Sequence, residues 1–380
     1  MAGFVPLIYL DHNATTPVAD EVTEAMWPYL TTHFGNPSSD HPYGRAARAG
    51  VEAAREQVAA LIGAHPDEIV FTSGGTESSN QAIRGSAAAL QAGRMRVVTS
   101  AVEHPATTEP TRLLSAAGWQ VTTLAVDRGG RIDPSACSAE RSPVGLGTLI
   151  LAQNEVGTIQ PIKELAESLH ARGAVVHTDA AQAVGKIPVD VDDLGVDLLS
   201  IAGHKCYAPK GIGALYIRRG TPIDPVLVGA SQEHGIRPGT ENVASAVGLG
   251  AACALAAANL VAEGERIGDL RDQLWSELAA MIPGIVRLGD SAHALPNTLS
   301  ISVPGTRGLD VLAICPAIAA STGSACHTGE IEPSAVLAAT GVSPETAAGA
   351  IRLSLGRHTT PGQVSASATA ITAAAGALTA

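Results

Sequence analysis

The chain is poor in charged residues and has no paired cysteine motif. Only 16% of its 380 residues are charged, and the formal net charge is -12. A nonspecific nucleic-acid surface needs clustered Lys and Arg, so this balance argues against direct nucleic-acid binding. The five cysteines include no CxxC pair, which argues against a disulfide framework and a structural zinc site. We therefore expect a cytoplasmic protein with free thiols and no bound metal.

A targeting or membrane-spanning segment is also missing from the sequence pattern. The apolar run at 4–10 contains Pro6 and ends at Asp11. It is too short for a signal-peptide core or a span, and it is more typical of a first strand. Hydrophobic residues make up 46% of the chain, which is enough for a large globular core. We expect no membrane contact.

Apolar, β-branched segments alternate with helix-like segments through the first two thirds of the chain. The strand-like segments are 68–72, 96–100, 120–124, 149–152, 174–178, 198–201 and 213–217, and the helix-like ones are 46–62, 77–91, 110–117 and 161–171. Such alternation predicts an α/β fold with a mostly parallel sheet covered on both faces. Sheets of this kind bind ligands at the carboxyl ends of their strands.

The pattern changes after about residue 255. A helix at 261–281, strand-like segments at 297–303 and 350–354, and a loop of small residues at 321–333 indicate a smaller α+β domain. The Ala-, Thr- and Ser-rich stretch 364–380 predicts a surface helix. We predict a large domain at 15–255 and a small domain made of 256–380 together with 1–14.

Three chemically suggestive motifs each follow a predicted strand. Gly75 and Thr76 open a helix after glycines, as in a phosphate-binding loop, although an ordinary N-cap turn fits those residues equally well. Asp179 ends an apolar strand, where it could pair with a heteroaromatic nitrogen or cap a helix. Lys205 could form a Schiff base or lie on the surface. The order of phosphate loop, Asp and then Lys favours a pyridoxal phosphate (PLP) site of the aspartate aminotransferase type I fold.

Two further residues are candidates for chemistry. Cys326 lies among small and polar residues beside His327, which favours an accessible, reactive thiol. Three of the other four thiols, Cys137, Cys253 and Cys315, fit inert buried positions, and Cys206 adjoins Lys205. Arg352 lies within an apolar strand and needs a partner, which could be a substrate carboxylate or an internal acid.

The motifs taken together resemble the cysteine desulfurases of the NifS/IscS type. They occur in the order of that family along nearly the whole chain, at 9–17, 71–78, 102–105, 154–157, 179–182, 203–205, 237–242 and 323–326. The resemblance implies a PLP enzyme that converts L-cysteine to L-alanine and holds the sulfur as a persulfide on Cys326. It also implies a homodimer, and a sulfur-acceptor protein such as an iron–sulfur scaffold or a tRNA-thiolation partner.

The resemblance also implies a role for each matching residue. Lys205 would carry the cofactor and His104 would stack on its ring. Asp179 would pair with the ring nitrogen and Gln182 with the ring hydroxyl. The phosphate would be held by the set Gly75, Thr76, His204 and, from the other subunit, Thr240. Asn154 and Arg352 would orient the substrate carboxylate.

Some positions depart from the family pattern. Ala202 stands where the family usually has a phosphate-binding Ser, so only its main-chain N–H could contribute to cofactor binding. Gln153 replaces an Asn, and His234 replaces an Arg. The pair Cys326–His327, followed by Pro333, is similar to selenocysteine lyases. That activity, a non-catalytic PLP-fold interaction protein, and a PLP aminotransferase or decarboxylase are the alternative functions. The presence of both Lys205 and Cys326 argues against the non-catalytic protein, and an aminotransferase or decarboxylase would have no use for an exposed loop Cys.

Overall fold

The computed structural model describes residues 7–90, 95–137, 142–322 and 334–379. The predicted nucleophile Cys326 lies outside these ranges. The described strands are β1 (Ile8–Tyr9), β2 (Ile69–Thr72), β3 (Arg96–Ser100), β4 (Gln120–Leu124), β5 (Leu146–Ile150), β6 (Val175–Asp179), β7 (Leu198–Ala202), β8 (Gly213–Ile217), β9 (Val286–Leu288), β10 (Thr298–Ser302), β11 (Ile318–Ala319) and β12 (Ala350–Ser354).

The described helices surround these strands. They are α1 (Asp20–Thr31), α2 (Pro42–Leu61), α3 (Gly75–Asn80), α4 (Ser86–Ala89), α5 (Pro105–Ala116), α6 (Ile162–His170), α7 (Val191–Leu194), α8 (Val243–Met281), α9 (Gly308–Ala313), α10 (Ala335–Ala339), α11 (Pro344–Ala348) and α12 (Pro361–Thr379). A π-helical turn, Gln81–Gly85, joins α3 to α4.

A sheet of seven described strands forms the larger layer, in the order β2-β8-β7-β6-β5-β3-β4. Pairing is parallel from β7 to β4, and β8 is antiparallel to both β7 and β2. Every residue of β5, β6 and β7 is buried, as expected for strands covered on both faces. The predicted α/β fold class is confirmed.

This topology brings the motif-bearing loops to one edge of the sheet. The two antiparallel steps through β8 return β2 to the direction of β7. The carboxyl ends of β2, β3, β5, β6 and β7 therefore lie together, and the residues that follow them can line one site.

Several predicted element limits are wrong. The strand expected at 149–152 is β5, which starts at Leu146 because Leu146 and Gly147 pair with neighbouring strands on both sides. The helix expected at 110–117 begins at Pro105, which fits a first helical turn and is capped by His104. The helix expected at 77–91 is interrupted by the π-helical turn.

The smaller layer is the antiparallel sheet β12-β10-β9. The N-terminal segment joins it, since β1 pairs with β11 and Leu10 packs in the same apolar cluster as β10 and β12. The C-terminal helix was expected on the surface, but α12 buries one face, including Val364, Ala368 and Ile371, in this cluster.

The long helix α8 connects the two layers. Its first half contributes Leu249 and Cys253 to the core under the large sheet, and its second half contributes Leu270 and Leu274 to the core of the small sheet. By length and composition α8 could cross a membrane, but half of its most apolar window is buried inside the protein. It packs on α1, α2 and α12, as a core helix does. The predicted domain division at 255 falls within this continuous helix and stays a prediction.

Candidate active site

A cavity of about 410 Å³ opens where the loops after the parallel strands meet the N-terminal segment and β12. It collects most of the residues selected from the sequence. Its lining includes Gly75, Thr76, His104, Asn154, Asp179, Gln182, Ala202, His204, Lys205 and Arg352. The sequence motifs therefore converge on one place, although the role of each residue stays a prediction.

The loop between β2 and α3 forms one part of the lining. Gly74 has φ +149°, a conformation that favours glycine, and Gly75 and Thr76 begin α3. A Cβ atom added to Gly75 would lie 3.1 Å from Cβ of Ala202, so the backbone here is closely packed against β7. Thr76 is exposed. Main-chain N–H groups at a helix start form a site suited to an anion.

Asp179 is the last residue of β6 and is only 5% exposed. Its Oδ1 accepts a hydrogen bond of 3.0 Å from the Ala181 N–H. Burial raises the pKa of the Asp179 carboxyl, although His104 and Lys205 act in the opposite direction. The carboxylate thus shapes the following turn and also borders the cavity, where a cation would stabilise its charged form.

Lys205 lies in the short turn Gly203–Lys205 directly after β7. Its Nζ donates to the main-chain oxygens of Asn13 and Ala14, at 2.5 and 2.8 Å. Burial, with a further contribution from Arg352, lowers the pKa of Lys205 to about 8. An amine with such a pKa is neutral often enough near neutral pH to act as a nucleophile or a base.

Two histidines border the same space. His104 caps α5, with its Nδ1 accepting from the Ala106 N–H at 3.1 Å, which leaves Nε2 on the other side of the ring. Loss of hydration lowers the pKa of His104, and Lys205 lowers it further against the effect of Asp179. Burial lowers the pKa of His204 to about 4, and its Nδ1 lies 3.2 Å from Thr15 Oγ1. Both rings are therefore neutral at neutral pH.

Arg352 and Asn154 lie side by side at the cavity. Arg352 is 6% exposed, and its Nη1 donates to the main-chain oxygen of Asn154 at 3.0 Å. Its Nη2 forms an ion pair of 2.7 Å with Asp11. The Nε of Arg352 is buried and has no hydrogen-bond partner within the described ranges. The internal acid expected as one alternative for Arg352 is therefore present, and the side chain still faces the cavity.

Gln182 is buried and holds the N-terminal segment against the cavity. Its Nε2 donates to the Asn13 oxygen at 2.9 Å, and its Oε1 accepts from Lys186. Asn13 itself is 1% exposed and also bonds Thr298 of the small sheet. The motif at 9–17 thus contributes main-chain oxygens to the site, a role that sequence reasoning missed.

Other residues were missed for the same reason. Asp11, Asn13 and Lys186 were visible within quoted motifs or next to them, but nothing in the sequence showed that the N-terminal segment would meet β12 and the loop after β6. Glu103, next to His104, is buried and was likewise given no role.

One predicted residue, Thr240, is exposed and is not among those that line the cavity of its own chain, and another, Cys326, lies outside the described residues. The cysteines at 137, 206, 253 and 315 are free and buried. Within 7–90, 95–137, 142–322 and 334–379, no group of three His, Cys, Asp or Glu side chains could hold a metal ion.

Comparison with known proteins places this site in context. Residues 8–366 match the family model for class-V aminotransferases. Cysteine desulfurase IscS of Dictyoglomus turgidum is 48% identical, with 93% of this chain and 90% of that protein covered. A solved NifS-like protein superposes with a TM-score of 0.91 at 35% identity, covering 97% of this chain and 98% of the other. A structure described as SspA in complex with cysteine has a TM-score of 0.80 at 34% identity, covering 91% of this chain and 98% of the other.

Proposed function

The chain belongs to the class-V aminotransferase family and, within it, to the cysteine desulfurases. From that premise we propose that it binds PLP in the 410 Å³ cavity, converts L-cysteine to L-alanine and collects the sulfur as a persulfide on Cys326. The observation that carries the proposal is the meeting of Lys205, with its pKa lowered to about 8, and the buried Asp179 in one cavity beside the α3 N-terminus.

The residues present fit the cofactor. The main-chain N–H groups of Gly75 and Thr76 at the start of α3 suit a phosphate, and a side chain at Gly75 would force Ala202 to move by a few tenths of an ångström. Asp179 offers a buried acid for a protonated ring nitrogen. Lys205 offers the amine for a covalent link. The missing Ser hydroxyl at Ala202 removes one donor from this set and leaves the main-chain groups.

PLP, when bound, supplies an electron sink that weakens the bonds at the substrate α-carbon. The chain's own residues do the rest. Arg352 would hold the substrate carboxylate, and the uncharged Lys205 amine would accept the α-proton. The neutral His104 presents Nε2 as a group through which a proton can move.

Sulfur transfer would then occur at Cys326. Its thiolate attacks the substrate sulfur, so that an S–S bond forms while the C–S bond breaks. The electron pair from that bond stays with the carbon skeleton, which takes up a proton and leaves as alanine. The products are alanine and one persulfide, and no external oxidant or reductant is needed.

The proposed partners follow from the same reading. A homodimer would bring Thr240 to the neighbour's phosphate, in keeping with its exposure on its own chain, and sedimentation of the purified protein measures this. An iron–sulfur scaffold in the cytoplasm is the proposed sulfur acceptor, which labelled-sulfur transfer to such a scaffold tests.

The decisive experiment uses Cys326→Ser, with Cys315→Ser as a buried-thiol control. Wild-type protein incubated with L-cysteine should release alanine and gain the mass of one sulfur on the peptide containing Cys326. Cys326→Ser should keep the cofactor, which borohydride fixes on Lys205, but should lose alanine production by about a hundredfold or more. Full activity of Cys326→Ser on L-cysteine would contradict the persulfide mechanism; selenide release from selenocysteine by that variant would then support a lyase.

A further inference from the structure

Lys186 is one of only four lysines in the chain, and it lies beside the active site, bonded to Gln182. Its Nζ donates to two neutral amide oxygens, Gln182 Oε1 and Asn13 Oδ1, the latter at 3.1 Å. Within the described ranges it takes part in none of the ion pairs. Burial lowers the pKa of Lys186 well below its usual value, and the charge of Lys205 lowers it further.

These contacts determine which end of the Gln182 amide faces which neighbour. The Lys186 amine donates hydrogens, so it selects the amide oxygen of Gln182. On the opposite side, the Asn13 main-chain oxygen accepts, so it selects the amide nitrogen at 2.9 Å. The reversed amide would set two oxygens against each other at the Asn13 contact, a repulsion that the buried site could not relieve.

The result is a defined donor at the cavity wall. Gln182 is 4% exposed and lines the cavity, and only one of its two Nε2 hydrogens is used by Asn13. Its oxygen is turned away, toward Lys186. The amide can therefore offer the cavity an N–H and not a lone pair.

Lys186 supports this arrangement twice. Besides fixing the Gln182 oxygen, Lys186 donates to the side-chain oxygen of Asn13. The main-chain oxygen of the same Asn13 accepts from Gln182 and from Lys205. Loss of Lys186 would loosen both ends of the Gln182 amide while leaving the residues that contact the cofactor unchanged.

We propose that Lys186 is a positioning residue that fixes the Gln182 amide so that its N–H is presented to the ring oxygen of PLP. This rests on the proposed function, because it requires a cofactor in the cavity. Lys186 itself does not touch the cofactor; it acts through Gln182 and Asn13.

A double-mutant cycle tests the proposal, with Lys186→Met, Gln182→Ala and the combination in the full chain. The readouts are the PLP dissociation constant, from titration of the apoprotein, and the pH midpoint of the bound cofactor's absorbance. Lys186→Met should weaken binding about tenfold, as expected for loss of one well-placed hydrogen bond, and should shift the midpoint. It should have no further effect in the Gln182→Ala background.

Control variants separate positioning from general damage. Lys210→Met removes an exposed lysine five residues beyond Lys205 and should match wild type in both readouts. Lys186→Arg, whose guanidinium donates and does not accept, should restore the wild-type midpoint. Should Lys186→Met not fold, Lys186→Gln replaces it, because its shorter side chain must give up one of the two contacts.

The outcomes are distinguishable. Effects that add in the double variant, or a Lys186→Met protein identical to wild type, would overturn the role of Lys186 while leaving the proposed function standing. A wild-type chain that binds no PLP would overturn both. The proposal is supported if Lys186→Met and Gln182→Ala shift the dissociation constant and the pH midpoint alike, and if the double variant shows no larger shift than Gln182→Ala alone.

Discussion

Glu103 offers a direct test of the electrostatics beside the active site. It precedes His104 and is 7% exposed. Its Oε1 accepts from Ser100 Oγ at 2.6 Å and from the Ile150 N–H at 2.9 Å. Its Oε2 is buried without a partner in the described part of the chain. Burial raises the pKa of Glu103 to about 8, and the charge of Asp179 adds to this effect.

The size of the effect follows from the difference between the folded and unfolded pKa. Between the ordinary value of 4.5 and about 8, the folded chain holds a proton that the unfolded chain has released. The stability conferred by the neutral acid is therefore complete below pH 4.5 and is lost as the pH rises to about 8. Three and a half pKa units correspond to about 5 kcal/mol, a slope of about 1.4 kcal/mol per pH unit.

Glu103→Gln removes the titration and keeps the shape. The amide oxygen can still accept from Ser100 and the Ile150 N–H, and the side chain carries no charge at any pH. We would measure urea unfolding of wild type and variant at pH 5, 6, 7 and 8, at one protein concentration. The free energy of unfolding of the variant, relative to that of wild type, should rise with each pH step. Glu109→Gln, at an exposed position on α5, is the matched control. Its free energy of unfolding should differ from that of wild type by the same amount at every pH. A pH-independent difference for Glu103→Gln would refute the reasoning, because it would mean that Glu103 is ionised throughout.

Two further results are expected. Glu233→Ala should destabilise the protein by about 3–5 kcal/mol in thermal unfolding, because it leaves Arg55, its partner at 2.8 Å, charged and buried. Asp67→Ala, which breaks an exposed pair with Arg219, should lower the unfolding temperature far less. Stopped-flow capture of PLP by the apoprotein should accelerate about tenfold per pH unit up to about pH 8 and then level off, since only neutral Lys205 reacts. A midpoint above 10, as for free N-acetyl-lysine, would contradict a perturbed Lys205.

The fold class could be predicted because short apolar, β-branched segments indicate strands by themselves. The segments that became β3, β4, β8 and β12 were placed at their observed limits. The first half of α8 was missed because its Ala- and Gly-rich turns touch α1 and α2 as well as the core, so no polar face marks a helical period. In α12, small alanines and a few larger residues make the buried face, which is too weakly apolar to be recognised as core.

The site residues could be predicted where a reactive side chain lies at the end of a strand. They could not be predicted where segments far apart in the chain meet. Asp179 ends β6 and Lys205 lies in the turn after the neighbouring parallel strand β7, so the topology alone brings them to one edge. The contacts of Asp11 with Arg352 and of Asn13 with Lys186 join positions far apart in the chain. No local periodicity encodes such contacts, since they depend on how the N-terminal segment enters between the two sheets.

Arg352 shows how a structural contact and a functional role can coexist in one side chain. The ion pair with Asp11 keeps its charge compensated when the cavity holds no substrate. The guanidinium has five N–H donors and Arg352 lines the cavity, so a substrate carboxylate can bind beside the existing pair. Arg352 is also one of the charges that lower the pKa of Lys205. A substrate carboxylate bound at Arg352 would offset that charge and raise the pKa of Lys205, which makes this amine a stronger proton acceptor at the moment the substrate α-carbon is in place.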